Sequence, residues 1–257
     1  MVFPSYGQRK SGRFLQLGQA PGGYEVKILV ACEESQAVTI ELRRLGHEAY
    51  SCDIELCSGG HPEWHIQADV LPVLNGRCDF DTADGTRHNI AEKWDMIIAF
   101  PPCTYLTAAG AVRLYNGDHT IRDPERDSRG RKAAKFFYEI LNADCPKIAV
   151  ENPVPMKRYG LPPYSQVIEP YMFGHPWKKR TCLWLQNLPP LMATDIMIPE
   201  GLWVGSTSAN RDPTICNRYK LHSNRNSKRR AKTFPGIAKA MAEQWAGDIR
   251  EGSQCEK

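Results

Sequence analysis

The chain has 257 residues, 42% of them hydrophobic, and a net charge of +4, which suits one sizeable globular core or one domain with a small appendage and excludes a disordered chain. No run of eighteen apolar residues occurs and the start "MVFPSYGQRKSGRF" lacks the apolar stretch of a secretion signal, so membrane insertion and export are excluded as expectations and the cytoplasm of a bacterium or a phage-infected host is the expected location. Nine cysteines, an odd count spread through a chain of ordinary size, argue for reduced thiols rather than a disulfide framework.

Residues 1–25 are rich in Gly, Pro and Gln without apolar period and read as a flexible leader. "KILVAC" (27–32) is a short buried-strand run. "SQAVTIELRRLG" follows as a helix with Val38, Leu42 and Leu45 on one face, Ser35 as N-cap and Gly46 past its end. "HEAYSCD" (47–53) reads as a second strand, "DMIIAF" (95–100) as an all-apolar strand, "RKAAKFFYEILNA" (131–143) as a helix and "KIAVEN" (147–152) as a strand. "RTCLWL" (180–185) is a further strand and "PGIAKAMAEQWAG" (235–247) a closing helix, with Pro235 in its first turn and Gly247 at its end. Such alternation predicts an α/β fold, a mostly parallel sheet with helices on both faces. The expected organisation is a core over 26–185, a small basic loop-rich lobe over 186–233 and a helix within 234–250 that packs back on the core. No internal repeat or low-complexity segment occurs.

"AFPPCTYLTAAG" (99–110) fixes Cys103 behind Pro101 and Pro102 at the end of a buried strand, the edge where open α/β sheets keep their active sites. Alone it proves little, since a buried structural thiol is the usual fate of a cysteine. A second strand-end signal, "AVENP" (149–153), places Glu151 and Asn152 at what should be a neighbouring edge. A thiolate adding to carbon 6 of a pyrimidine, with a carboxyl holding a proton at N3, makes carbon 5 a nucleophile; that is covalent catalysis assisted by an acid.

"PPCTYLTAAG" resembles the signature of the DNA cytosine-5 methyltransferases, in which Pro-Pro-Cys precedes Gln, any residue, Phe, Ser and Ala-Gly; this chain has Thr104, Tyr105, Leu106, Thr107, Ala109 and Gly110. "VENP" resembles the family's Glu-Asn-Val element with Pro153 for valine. "FGHPWKKRTCLWL" (173–185) resembles a later basic element without its Gln-x-Arg-x-Arg spacing, and "TFPGIAKAMAEQWAG" the final helix without its Gly-Asn pair. The similarity keeps the family's order from about 27 to 247, and its compactness resembles phage and prophage members. It implies a Rossmann-like methyltransferase fold, S-adenosylmethionine as cofactor and DNA as partner, with a base flipped from the duplex. Carried onto this sequence, it makes Cys103 the nucleophile, Glu151 the group at N3 and the exocyclic amine, and Asn152 the brace of the strand end. Lys179 or Arg180 steadies a phosphate or the base carbonyl, and Pro102 and Thr104 lie against the substrate.

The cofactor turn departs from the pattern. Where the family has Phe-x-Gly-x-Gly, this chain has "ACEESQ", so Cys32, Glu33, Glu34 and Ser35 stand where backbone would approach the methionine part. Side chains there would crowd the ligand and carboxylates would repel its carboxylate, or else Glu33 or Glu34 takes its amino group. Asp53 stands where an acid takes ribose hydroxyls and Asp69 where the family's acid meets the adenine amine, unless each merely caps a turn. Pro101 completes the expected cofactor contacts. Cys52, Cys57, His61 and His65, with spacers of four, three and three, lack the longer arm with which Cys₂His₂ sites wrap zinc, and no metal is expected.

From Pro213 to Ala242 there is no acidic residue, while Arg218, Arg229 and Arg230 are among eight cations. The stretch suits a nucleic-acid backbone or is a solvated loop. Trp203, Tyr219 and His222 can stack on bases. The short lobe leaves duplex DNA, single strands and a free pyrimidine nucleotide all open as substrates. Two rivals stand beside methylation: a related enzyme that adds water or another one-carbon unit at carbon 5, and a DNA-binding relic without activity.

Overall fold

The computed structural model describes residues 25–199, 202–203 and 231–247. Nearly all of the expected leader, much of the expected lobe, and Arg218, Arg229 and Arg230 lie outside the described residues. In chain order the elements are β1 (Lys27–Ala31), α1 (Ala37–Arg44), β2 (Glu48–Asp53), β3 (His65–Gln67), β4 (Cys78–Asp81), β5 (Arg87–Ile90), β6 (Met96–Ala99), α2 (Ala111–Leu114), α3 (Pro124–Leu141), β7 (Ile148–Pro153), β8 (Gln166–Ile168), β9 (Trp177–Lys178), β10 (Thr181–Gln186), β11 (Leu202–Trp203) and α4 (Pro235–Trp245).

Seven strands form one sheet in the order β3-β2-β1-β6-β7-β10-β8. The first five are parallel, and β10 runs antiparallel to both of its neighbours. The chain winds outward from β1 through β2 and β3, then resumes on the other side with β6 and β7, so a crevice opens at the carboxyl ends of β1 and β6. This is a Rossmann-like α/β fold, with the reversed strand β10 set between β7 and the edge strand β8.

Side-chain alternation divides the sheet's two faces. Leu29, Ile97 and Val150 meet Phe137 and Ile140 of α3. Ile28, Val30, Ile98 and Leu183 meet Leu42 of α1 and Met241 of α4. Continuous apolar runs in β1, β6 and β7 follow from burial on both faces.

The structure revises several sequence expectations. Helix α3 begins at Pro124, seven residues before the expected start, because Asp123 accepts from the Arg126 amide at 2.8 Å and Pro124 occupies the first turn. The α1 cap is not Ser35: the residue before the helix is Gln36, at φ 56°, and makes no side-chain cap. The β4–β5 hairpin was not anticipated. It buries Phe80 and Ile90 beside Trp94, whose indole donates to the Val73 carbonyl at 2.7 Å. Among the described residues no helix is long and apolar enough to cross a membrane.

Candidate active site

The turn after β1 closes on itself. Cys32 takes φ 59°, the left-handed region usually left to glycine. Glu33 is only 3% exposed and turns inward, where its carboxylate accepts from the Val38 amide (2.7 Å), the Thr39 amide (3.3 Å) and the Thr39 hydroxyl (2.8 Å). It satisfies the first-turn amides of α1 and places negative charge at the positive end of the helix. The expected crowding of the crevice by Glu33 therefore does not arise. The same bonds occupy amides that an incoming anion would use.

Burial pushes the Glu33 carboxyl from its ordinary 4.5 up to about 7, against the opposing pull of those hydrogen bonds. A pKa raised on folding stabilises the native state fully below the unfolded value and loses that contribution as pH rises through the folded one. Relative to Glu33→Gln, the parent should lose on the order of 3 kcal/mol of stability between about pH 4.5 and 7. Urea unfolding of both proteins across that range measures it; a difference that stays flat with pH overturns the assignment.

Asp53 ends β2, half-buried, and accepts from the Glu55 amide at 2.9 Å; burial raises its carboxyl. Ile54 beside it is 75% exposed. Asp69 is exposed and accepts from the Leu71 amide at 3.0 Å. Burial, and after it Asp53, Cys52 and Asp69, push the Cys32 thiol up, so Asp53 and Asp69 both lie near the turn after β1. Ser35 and Glu34 are half-buried beside it.

The Cys52, Cys57, His61 and His65 set does not converge. Both His65 ring nitrogens are taken, by the Ser51 hydroxyl at 2.9 Å and the Glu55 carbonyl at 2.9 Å. The Cys52 thiol meets the Ala68 carbonyl, while His61 stacks on Trp64 at 3.9 Å and bonds Glu63. Among the described residues no three ligating side chains gather.

Cys103 and Glu151 arise from adjacent parallel strands, with Ala99 of β6 opposite Val150 of β7. Pro101 is buried, Pro102 and Thr104 are exposed, and Cys103 is half-buried. The Cys103 carbonyl accepts from the amides of Leu106 (3.1 Å) and Thr107 (3.0 Å), which turns the chain sharply at the cysteine. Two backbone bonds then zip this loop to the segment after β7: Ala108 donates to Val154 (2.8 Å) and Met156 to Leu106 (2.7 Å). Asn152, fully buried, donates to the Pro101 carbonyl at 3.0 Å and so ties one strand end to the other. Arg126 donates to the Thr104 carbonyl at 2.7 Å and lies over the Tyr105 ring.

Glu151 faces a small, partly open cleft between the sheet and α4, lined also by Phe100, Lys179, Thr181, Thr233 and Phe234. Cys103 is not among its lining residues, so the two strand ends adjoin without both side chains lining this one cleft. Burial raises the Glu151 carboxyl above its ordinary value and the Lys179 ammonium pulls it partly back. Arg180 is exposed and lies outside the cleft; it acts instead on Glu169, another carboxyl raised by burial, with one buried oxygen lacking a hydrogen-bond partner.

Thr233, Phe234, Ile237 and Met241 were not singled out in the sequence, although "TFPG" at a helix start marked the place. The His175 Nε2 accepts from the Gly236 amide at 3.1 Å, and a Cβ on Gly236 would stand 1.9 Å from the Phe173 carbonyl oxygen. The "FGHPW" segment thus seats the start of α4.

Asp53 presents its carboxyl at the end of β2, next to the exposed side chain of Ile54. The first-turn amides of α1 are not available to the amino-acid part of S-adenosylmethionine, since Glu33 holds them.

No family model matches the sequence, and no curated protein matches it. Among solved structures, the chain is similar to a prophage-encoded E. coli protein assigned as a DNA modification methyltransferase, with 14% identity, a TM-score of 0.39, and coverage of 67% of this chain and 52% of that one. The chain spans about half the length of that protein, and at this distance the likeness bears on neither activity nor substrate.

Proposed function

We propose that the protein modifies carbon 5 of cytosine in DNA through a covalent bond from Cys103, by methylation from S-adenosylmethionine. The observation that carries this reading is the junction of two strand ends: the Pro-Pro-Cys turn after β6 and Glu151 on β7, joined by the Asn152–Pro101 bond. Cys103 forms a bond to carbon 6 as its thiolate, and the ring's displaced electron pair is held at N3 by the Glu151 proton. Burial keeps that proton on Glu151 to higher pH than an exposed carboxyl would. S-adenosylmethionine supplies an electrophilic methyl group to carbon 5. Loss of the carbon-5 proton to water then expels the thiolate, and Glu151 recovers its proton from N3. Lys179 sits beside Glu151 to steady the base carbonyl, Arg180 lies outside for a phosphate, and Asp53 holds the ribose of the donor.

Incubation with S-adenosylmethionine and DNA carrying 5-fluorocytosine tests the reading, because fluorine cannot leave carbon 5 as a cation and the adduct persists. A covalent complex whose cross-linked peptide contains Cys103 is expected. No adduct with duplex, single strand or free nucleotide overturns it and favours the relic. A second reading, a donor other than S-adenosylmethionine, draws on the closure of the α1 amides by Glu33. Mass spectrometry of nucleosides from treated DNA separates the two: a gain other than a methyl group selects the second.

A further inference from the structure

With the α1 amides taken, an amino acid's charges need other partners, and a set of them stands one loop away. The loop after β2 is docked on the turn after β1. Ser58 donates its amide to the Glu34 carbonyl at 2.8 Å. Gln36, fully buried, grips His61 from both sides, donating to its carbonyl at 2.8 Å and accepting from its amide at 3.1 Å. Gly59 lies so close beneath Gln36 that a Cβ would come within 2.6 Å of it. Against this docked loop Lys232 places its ammonium, donating to the Ser58 hydroxyl at 2.7 Å. Lys232 stands between Ala231 and Thr233, both of which line the Glu151 cleft.

Glu34 is half-buried at the same place and near enough to Glu33 and Asp53 to raise both carboxyls. Among the described residues neither Lys232 nor Glu34 has an ion-pair partner, and the two do not pair with each other. A cation and an anion held on one docked loop and turn, close to the acid at the end of β2 yet not neutralising one another, match a ligand bearing both charges.

We propose that Lys232 with Ser58, and Glu34 on the turn to which that loop is bonded, form a receptor for an amino-acid zwitterion, the first pair taking its carboxylate and Glu34 its ammonium. The inference rests on the reading of S-adenosylmethionine as donor and says how its amino-acid part is bound without the helix amides. It also accounts for "ACEESQ" and "CSGGH" together: Gly59 lets the loop after β2 seat against Gln36, and the turn after β1 carries the charge.

Calorimetry compares S-adenosylmethionine with 5′-methylthioadenosine, which keeps the nucleoside and lacks both charges. The parent should bind S-adenosylmethionine more tightly. Lys232→Met and Glu34→Gln should each weaken that binding about tenfold and leave methylthioadenosine unchanged, while Lys232→Arg retains most of the affinity. Unchanged melting temperatures show that the variants are folded. If the parent binds both ligands and both variants bind S-adenosylmethionine as the parent does, the zwitterion receptor is overturned while the donor reading stands. If the parent binds neither ligand, the donor reading falls and this inference with it.

Discussion

Replacing Cys103 by alanine is expected to abolish adduct formation and to lower turnover by roughly 10³-fold or more, since no other group on the loop can form the bond to carbon 6. The side chain is half-buried in a turn built from its own carbonyl, so the backbone should survive the change and the melting temperature should move little. Glu151→Gln probes the partner. An amide keeps the shape but has no proton to give to N3, and a loss of roughly 10²-fold or more in turnover is expected with little change in DNA affinity. The parent's rate should fall on the alkaline side as the burial-raised carboxyl of Glu151 ionises, and Glu151→Gln should lack that limb. Single-turnover rates against pH measure both effects. Cys103→Ala retaining turnover, or an alkaline limb that persists in Glu151→Gln, would overturn the covalent scheme.

Gly236→Ala should destabilise the protein by about 3 kcal/mol, the upper part of the range for forcing atoms into a packed site. Helix propensity alone predicts the opposite, since alanine is favoured over glycine by about 1 kcal/mol inside a helix. The added methyl would stand 1.9 Å from the Phe173 carbonyl oxygen and 3.2 Å from the His175 ring nitrogen, and a backbone oxygen cannot turn aside as a side chain can. The start of α4 must move away, and Phe234 and Ile237 of the cleft wall move with it. Thermal unfolding decides the sign, and a variant more stable than the parent overturns this packing.

The principal strands were legible because each is an uninterrupted apolar run. "KILVAC", "DMIIAF" and "KIAVEN" appear as β1, β6 and β7 within a residue or so at each end. Direction was not legible: "RTCLWL" marks a buried strand, yet nothing in its composition sets β10 antiparallel to β7 and β8. Strands of two or three residues such as β3, β8 and β9 give no period to detect. The β4–β5 hairpin hides behind its charges, since Asp79, Asp81, Arg87 and Asn89 pair on its exposed face. Helix α3 starts early for the reason that obscures it in the sequence, two polar turns whose buried Asp127 is held by Arg158 and Arg131.

At the site, the sequence placed Cys103 and Glu151 on strand ends that are in fact adjacent. It read Glu33 as facing the crevice, whereas two donors in the first turn of α1, Val38 and Thr39, draw the carboxylate inward. A local acid competing for helix amides is hard to tell from a ligand contact in one dimension. The cleft beside Glu151 was hidden for a different reason: its other wall comes from residues some eighty positions further along the chain, whose closeness depends on the sheet order.

That last arrangement bears on synthesis. While the ribosome is still short of residue 235, the nascent chain holds the cysteine and the glutamate but has nothing against which to enclose the space over Glu151. The space over Glu151 is therefore enclosed only once α4 has been made and has packed back on the sheet.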